Sequence, residues 1–496
     1  MQRIDQHFIN GAFVASHGQH LANLHNPATE AVIGTVRLGD AVDAERAVAA
    51  AKAALPAQAA RSVAERLAML GRFRDAMAER QDALHAAVLA EYGAPSARSR
   101  WMVEHPVQVI DEAMRVLADF PFQRSVGQAQ VHLLPVGVAG LITPWNSNAS
   151  FICGKLATAL AAGCTAVVKP SEMSALQTQV VMEALHAAQL PAGVANIVNG
   201  LGQDVGAVLS ASPDVAKISF TGSTATGRAI LRSSADTFKR VTLELGGKSP
   251  TVILDDADPQ AAAALAVQAG FINSGQACIA GTRILVPESR RAAFEDALAA
   301  AVQAVRSGDP RDAATTVGPM VSERQWQRVQ GYITTGIAEG ARLLAGGEGR
   351  PEGLQKGWFV RPTLFTDVRN DMTIAREEIF GPVLGVIGYR DEEEAVAIAN
   401  DTAYGLSALV IGSDEARATA VARQIQSGRV LVNTLRHEPM APFGGMKQSG
   451  IGRESGAWGL EAFLEAQTLV VGRPTHAITH RTAVAPASAS HGPRNR

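Results

Sequence analysis

Two rhythms of apolar and polar positions divide the chain. From Asp40 to about Glu91, apolar residues recur at helical spacing in an alanine-rich background, and further helices follow to about Phe120. Asp43-Ala-Glu-Arg-Ala-Val starts the first helix, with a break expected at Pro56. Ser62-Val-Ala-Glu65 has the spacing of a reciprocal cap, so a second helix starts there. Ahead of both, His7 to Val14 reads as a hairpin turning at Asn10-Gly11.

The second rhythm alternates short apolar runs with helical ones. Gln130–Val136 and Gly137–Ile142 are expected strands. Thr165–Lys169, Val194–Val198 and Val215–Phe220 follow, with helices at 174–189, near Val205–Ser210 and from Gly227. A second series comprises strands at Pro250–Leu254, Thr282–Val286, Pro382–Ile387, Ala408–Ile411 and Gly428–Asn433. Its helices are Pro259–Ala269, Arg290–Val305 and Glu392–Asn400, and a glycine-rich loop spans Gly346 to Gly357. Strands alternating with helices predict parallel, helix-covered sheets, which bind ligands at the carboxyl ends of their strands. The tail from Arg473 to Arg496 carries arginines without acids among Ala, Ser, Pro and His, and is expected to be disordered.

A length of 496 residues exceeds what one hydrophobic core serves, so two large domains are expected. With 47% hydrophobic and 19% charged residues and a net charge of −2, neither nucleic acid nor an anionic membrane is an expected partner. The most apolar region, around 151–168, is interrupted by Lys155, which argues against a membrane span. Three cysteines, Cys153, Cys164 and Cys278, have no pairwise spacing for a disulfide framework or a metal site. Such sparse thiols and the absence of a signal-peptide pattern at the start suit the cytoplasm.

Cys153 and Cys164 lie in apolar, helix-like sequence, as buried structural cysteines do. Cys278 instead follows a Gly-Gln turn in Phe271-Ile-Asn-Ser-Gly-Gln-Ala-Cys278, where a nucleophile could be presented. Just upstream, Glu244-Leu-Gly-Gly-Lys-Ser-Pro250 offers a carboxylate beside residues without bulk. Thr221-Gly-Ser-Thr-Ala-Thr-Gly227 follows a strand and opens a helix, a place where backbone N–H groups and the helix dipole suit a pyrophosphate. Its glycine spacing is not the ordinary dinucleotide fingerprint, and a plain strand–helix turn explains it almost as well.

These segments occur in order with Ile142-Thr-Pro-Trp-Asn146, Lys169-Pro-Ser-Glu172, Glu377-Glu-Ile-Phe-Gly-Pro-Val383 and Pro442-Phe-Gly-Gly-Met-Lys-Gln-Ser-Gly-Ile-Gly-Arg-Glu454. Together they closely resemble the NAD(P)-dependent aldehyde dehydrogenase superfamily, from about Phe8 to Val470. The resemblance implies an α/β fold with an open Rossmann-like cofactor domain (1–116 and 136–247) and a second, catalytic α/β domain (248–449). A small β oligomerisation element (117–135 and 450–472) would complete it. It implies oxidation of an aldehyde with NAD(P)+, in which a thiolate at Cys278 adds to the carbonyl to give a thiohemiacetal and, after hydride leaves for the nicotinamide, a thioester.

The same resemblance makes Asn146 and the Cys278 N–H the oxyanion donors and Glu244 the base that activates water. Relatives that pass the acyl group to coenzyme A typically lack a glutamate there, so free acid is the expected product. Lys155 and Glu454 would relay protons. NAD, with NADP left open, would lie along Thr143, Pro144, Trp145, Lys169, Ser171, Glu172, Gly202, Gly206, Phe220, Thr221, Gly222, Ser223, Gly227, Leu245, Gly246, Glu378 and Phe380. Glu172 would hold the adenosine ribose and repel a 2′-phosphate. No metal is implied, and a homodimer or homotetramer is.

Three competing readings stand beside this one: a relative releasing acyl-CoA, a non-catalytic protein that has kept the fold, and a thiol hydrolase using Cys278 without cofactor. The chain also departs from many relatives, with Ser147-Asn148-Ala149 where they often have Phe-Pro-Leu, and Gly154 where some carry an aromatic. A widened tunnel would suit a bulky or long aldehyde, and Arg436 or His437 could attract a polar or anionic end.

Overall fold

A computed structural model describes residues 2–472; the expected disordered tail at 473–496 lies outside them. Among the described residues the chain forms two compact units, one of residues 2–120 and 134–465, the other of 121–133 and 466–472.

The larger unit is built on two sheets. The first has eight strands, in the order Gly450–Ile451, Arg240–Glu244, Val215–Thr221, Val138–Ile142, Thr165–Lys169, Ala195–Ile197, Gln6–Ile9 and Ala12–Ala15. Its five inner members run parallel, and the flanking strands pair antiparallel to them. Val138–Ile142 and Thr165–Lys169 are buried at every position, as strands covered on both faces must be. Register pairs Ile142 with both Lys169 and Phe220, and Thr221 with Glu244. The loops carrying Asn146, Glu172, Ser223 and Gly246 therefore all leave the sheet along one edge, the carboxyl ends of its strands.

The second sheet has seven strands, in the order Arg342–Ala345, Thr363–Thr366, Val383–Tyr389, Arg283–Pro287, Pro250–Ile253, Ser407–Ile411 and Arg429–Val432. All but the first run parallel to their neighbours. All five expected strands of the first series are present, and so are the five of the second. The helix Glu323–Ala338, capped by Ser322, and the strands beside the glycine-rich loop were not expected. In the smaller unit, Gln123–Val126 turns into Ala129–Pro135, and Leu464–Val470 completes a three-stranded sheet.

Local signals at the amino-terminal end behave as read. Asn10 and Gly11 take φ of 56° and 80° in the hairpin turn. Ser62 accepts from the Glu65 N–H while Glu65 returns to Ser62, a cap that stabilises by about 1 kcal/mol. Pro56 is a correction. It lies inside the helix Ala41–Ala59, whose last turn closes despite the lost N–H: the Ala60 N–H donates to Pro56 O at 3.2 Å, and Gln58 donates to the Leu160 carbonyl at 3.3 Å.

Candidate active site

Cys278 sits at the end of a loop that the backbone must strain to form. Asn273, Ser274 and Gly275 take φ of 54°, 59° and 74° in succession. Only Gly275 does so without a Cβ penalty, and a Cβ there would stand 2.2 Å from the Gly381 carbonyl. Tertiary bonds hold the strain. Gln276 accepts from the Val321 N–H at 2.9 Å and donates to Pro319 O at 3.2 Å, and Ser274 Oγ accepts from the Gly318 N–H at 2.8 Å. The same loop is stitched to the oxyanion-side loop. Asn146 Nδ2 donates to Gln276 O, and Asn273 Nδ2 donates to Asn146 O, each at 3.0 Å.

Glu244 is the last residue of its strand and is 3% exposed, yet neither carboxylate oxygen has a hydrogen-bond partner. Burial first, and the Glu454 carboxylate second, push its pKa well above the usual carboxylate range, against the pull of Lys155 and Arg453. Glycines make the room it occupies. A Cβ at Gly444 would stand 2.6 Å from Glu244 Oε1, and one at Gly247 would stand 2.3 Å from the Cys278 carbonyl oxygen. Behind it, the ammonium of Lys155 (4% exposed) pairs with Glu454, and Ser219 bridges them, accepting from Lys155 at 2.9 Å and donating to Glu454 at 3.0 Å.

Cys278 is half-buried, while Cys153 and Cys164 are buried and free. Burial pushes the Cys278 thiol up to about 12, helped by Glu378 and Glu244 and opposed by the Arg429 guanidinium. Partial burial and the two neighbouring carboxyl groups thus favour the protonated thiol over the thiolate that attacks the aldehyde.

The dinucleotide-side residues gather along the sheet edge. Ser223 caps the helix Thr224–Ser234, accepting from the Thr226 N–H. Lys169 donates to the carbonyls of Pro170 and Gly200 at 2.7 and 2.8 Å, with Glu172 at 3.8 Å. Ser171 caps the turn that begins at Glu172. Thr143 N–H donates to Lys169 O, and beyond Pro144 the Trp145 ring stands perpendicular to Phe380 at 5.3 Å. Glu378 Oε1 accepts from the Gly247 N–H at 3.0 Å, and burial raises Glu378 to about 7.

These residues fit a bound dinucleotide. A Cβ at Gly202 would meet nothing within 4 Å, so the cleft is open there, and Thr221 Oγ1 is buried without a partner. Gly206 would meet only the Lys169 side chain and Ile142. The other glycines answer to the protein itself. A Cβ at Gly222 would strike the Phe220 ring at 2.4 Å, at Gly227 the Leu245 side chain at 2.7 Å, and at Gly246 the Glu378 carboxylate at 2.6 Å.

One cavity of about 420 Å³ is lined by Cys278, Glu244, Asn146, Lys155 and Glu454 together. Its lining also includes residues that no motif singled out: Arg98, Trp101, His105 and Glu112 from the helix Ser96–Asp119, and Arg429 from the second sheet. Chemical type alone does not separate these from solvated surface residues. His437 lines the cavity as expected, whereas Arg436 is exposed and is not among its lining residues. Gly154 leaves little free width, since a Cβ there would already touch Val109 at 3.6 Å.

Fold and site together define an α/β protein with a dinucleotide-type sheet edge beside a half-buried cysteine and a buried glutamate that line one cavity. The family model for the aldehyde dehydrogenase family matches residues 13–469. A Staphylococcus haemolyticus protein named as an aldehyde dehydrogenase is 45% identical over 470 residues, covering 95% of this chain and 99% of its own length. Among solved structures, an aldehyde dehydrogenase C cysteine-to-alanine variant from Pseudomonas syringae, complexed with NAD+ and octanal, superposes with a TM-score of 0.92. It is 44% identical, over 94% of this chain and 96% of that one. The Mycobacterium tuberculosis aldehyde dehydrogenase complexed with NAD+ gives 0.91 at 39% identity, over 95% and 99%. The chain belongs to the aldehyde dehydrogenase family. No helix among the described residues is long and apolar enough to cross a membrane, and none of their His, Cys, Asp and Glu side chains forms a metal-binding group.

Proposed function

We propose that this chain oxidises an aldehyde to the free carboxylic acid with NAD+, using Cys278 as nucleophile and Glu244 as general base. The observation that carries this reading is that a buried, unpartnered carboxyl group, a loop-strained thiol and an amide donor line one cavity.

Cys278 Sγ bonds to the carbonyl carbon as its proton passes to the ionised Glu244 carboxylate, and the Arg429 guanidinium favours the anionic sulfur in the approach. Asn146 Nδ2 and the Cys278 N–H stabilise the oxyanion of the resulting thiohemiacetal. When bound, NAD+ supplies the two-electron acceptor that takes a hydride from that carbon. Glu244 then removes a proton from water as the water attacks the thioester on Cys278, the acid departs and the thiol is restored. Lys155, Ser219 and Glu454 give the proton on Glu244 a polar route away.

Lys169 fixes the loop on which Glu172 meets the adenosine ribose, and the Glu172 carboxylate opposes a 2′-phosphate, which favours NAD over NADP. Trp145, Phe380 and Glu378 hold the nicotinamide end. A cavity of about 420 Å³ admits a long or bulky aldehyde, and octanal is the aldehyde in the similar Pseudomonas syringae structure. The exposed apolar residues Val126, Leu469 and Val470 would be covered in a homodimer or tetramer, and sparse free thiols suit the cytoplasm.

Mixing purified protein with NAD+ and an aldehyde panel, while following NADH absorbance with and without coenzyme A, tests this reading. NADH formation and free acid without coenzyme A are expected. Silence across the panel, or acyl-CoA as product, would overturn it.

A further inference from the structure

Arg98 occupies an unusual place among the charges of the cavity. Its guanidinium lies 3.8 Å from the centre of the Trp101 ring and donates to Ser147 Oγ at 3.1 Å, and Ser147 Oγ donates in turn to the Asn146 carbonyl. The group is thus fixed beside the residue assigned to the oxyanion. Its Nε is buried without a partner, and Tyr92, not a carboxylate, is the one ionisable neighbour that acts on its charge among the described residues. Burial lowers it to about 10, so it remains a cation at neutral pH.

The other charges of the cavity do not compensate it. The Lys155 ammonium and the Glu454 carboxylate pair with each other. Burial pushes the Glu244 and Glu112 carboxyl groups towards their neutral forms. His105 is held down to about 4 by burial, by Arg98 and by His437, and so adds no charge. Arg429 is a second cation without a carboxylate partner; it donates to Ser407 Oγ and lies on the thiol side, where it opposes the rise at Cys278. A desolvated guanidinium with no counter-ion is costly, and its planar fork matches a carboxylate.

We infer that Arg98 is the specificity residue for an aldehyde that carries its own carboxylate at the end away from the reacting carbonyl. The inference rests on the aldehyde-oxidising reading and narrows it. The carboxylate supplies the missing counter-charge, Arg98 receives it where the side chain lines the cavity, and Trp101 backs the guanidinium so that the fork keeps its direction. Ser147 is small enough to admit this contact, where the phenylalanine common in relatives would fill the space with apolar bulk.

The test compares linear ω-oxo carboxylates of increasing length with their methyl esters, using the full chain and NAD+. In the wild-type protein kcat/KM for the best carboxylate should exceed that of its ester by roughly tenfold or more, mainly through KM. Arg98→Gln should collapse this ratio towards one, and Arg98→Lys should retain part of it. Any loss in chemistry shared by both substrates cancels in the ratio, so a merely structural role for Arg98 would leave it unmoved. Esters and simple alkanals oxidised as well as the carboxylates by the wild-type protein, or an unchanged ratio in Arg98→Gln, would overturn the inference while leaving aldehyde oxidation standing. No oxidation of any member of the panel would instead defeat the parent reading.

Discussion

Gly247 packs against the backbone of Cys278 so closely that a single added methyl group would stand 2.3 Å from the Cys278 carbonyl oxygen. The loop carrying the base and the loop carrying the thiol are therefore in register only because position 247 has no side chain. Gly247→Ala should move Cys278 relative to Asn146 and lower kcat by about 100-fold, since a small misplacement of a nucleophile is that costly. Circular dichroism should show the fold intact. Near-normal kcat in this variant would mean that the loops have slack the packing does not show.

The pH dependence of turnover follows from Glu244. A base acts in its ionised form, and burial with the neighbouring Glu454 raises the pH at which that form appears. Deacylation should therefore rise with pH through a midpoint above the ordinary carboxylate value of about 4.3. Glu454→Gln removes a like charge and frees Lys155 to act on Glu244, so the midpoint should move to lower pH. Glu244→Gln should abolish this limb and leave a burst of NADH followed by slow turnover. An unchanged profile in Glu454→Gln would contradict the electrostatic coupling.

The Lys155–Glu454 pair makes a separate prediction about stability. Glu454→Leu leaves the ammonium of Lys155, 4% exposed, without its partner ion. Such a stranded charge should cost about 3 kcal/mol in denaturant unfolding. Adding Lys155→Met should recover most of that loss. A single variant as stable as the parent protein would show that water already reaches the ammonium.

Cofactor choice turns on one carboxylate. Glu172→Gln removes the charge that opposes a 2′-phosphate while Lys169 still shapes the loop through its two carbonyl contacts. The ratio of kcat/KM for NADP against NAD should rise by about tenfold, which is roughly 1.4 kcal/mol. No change in that ratio would move the discrimination elsewhere in the cleft.

Much of this was legible in the sequence because the signals are local. A strand that ends in Thr221-Gly-Ser, a capped helix at Ser62 and a cysteine after Gly-Gln each carry their own physics. What the sequence could not show depends on residues distant along the chain meeting in space. Gln276 looks like part of a motif, yet its bonds run to Pro319 and Val321, and they hold the strained turn before the cysteine. Arg98 and Arg429 resemble any surface arginine until the fold turns both into the cavity. Gly222 and Gly227 were read as cofactor contacts, and the structure adds a packing reason for each that spacing alone could not supply.

The most direct measurement is the intact mass of the Glu244→Gln protein after mixing with NAD+ and an aldehyde substrate, followed by peptide mapping. One acyl group should appear, on Cys278, in an amount matching the NADH burst, and Cys278→Ala should show neither. An NADH burst with no acyl group on Cys278, or sustained oxidation by Cys278→Ala, would contradict the covalent route.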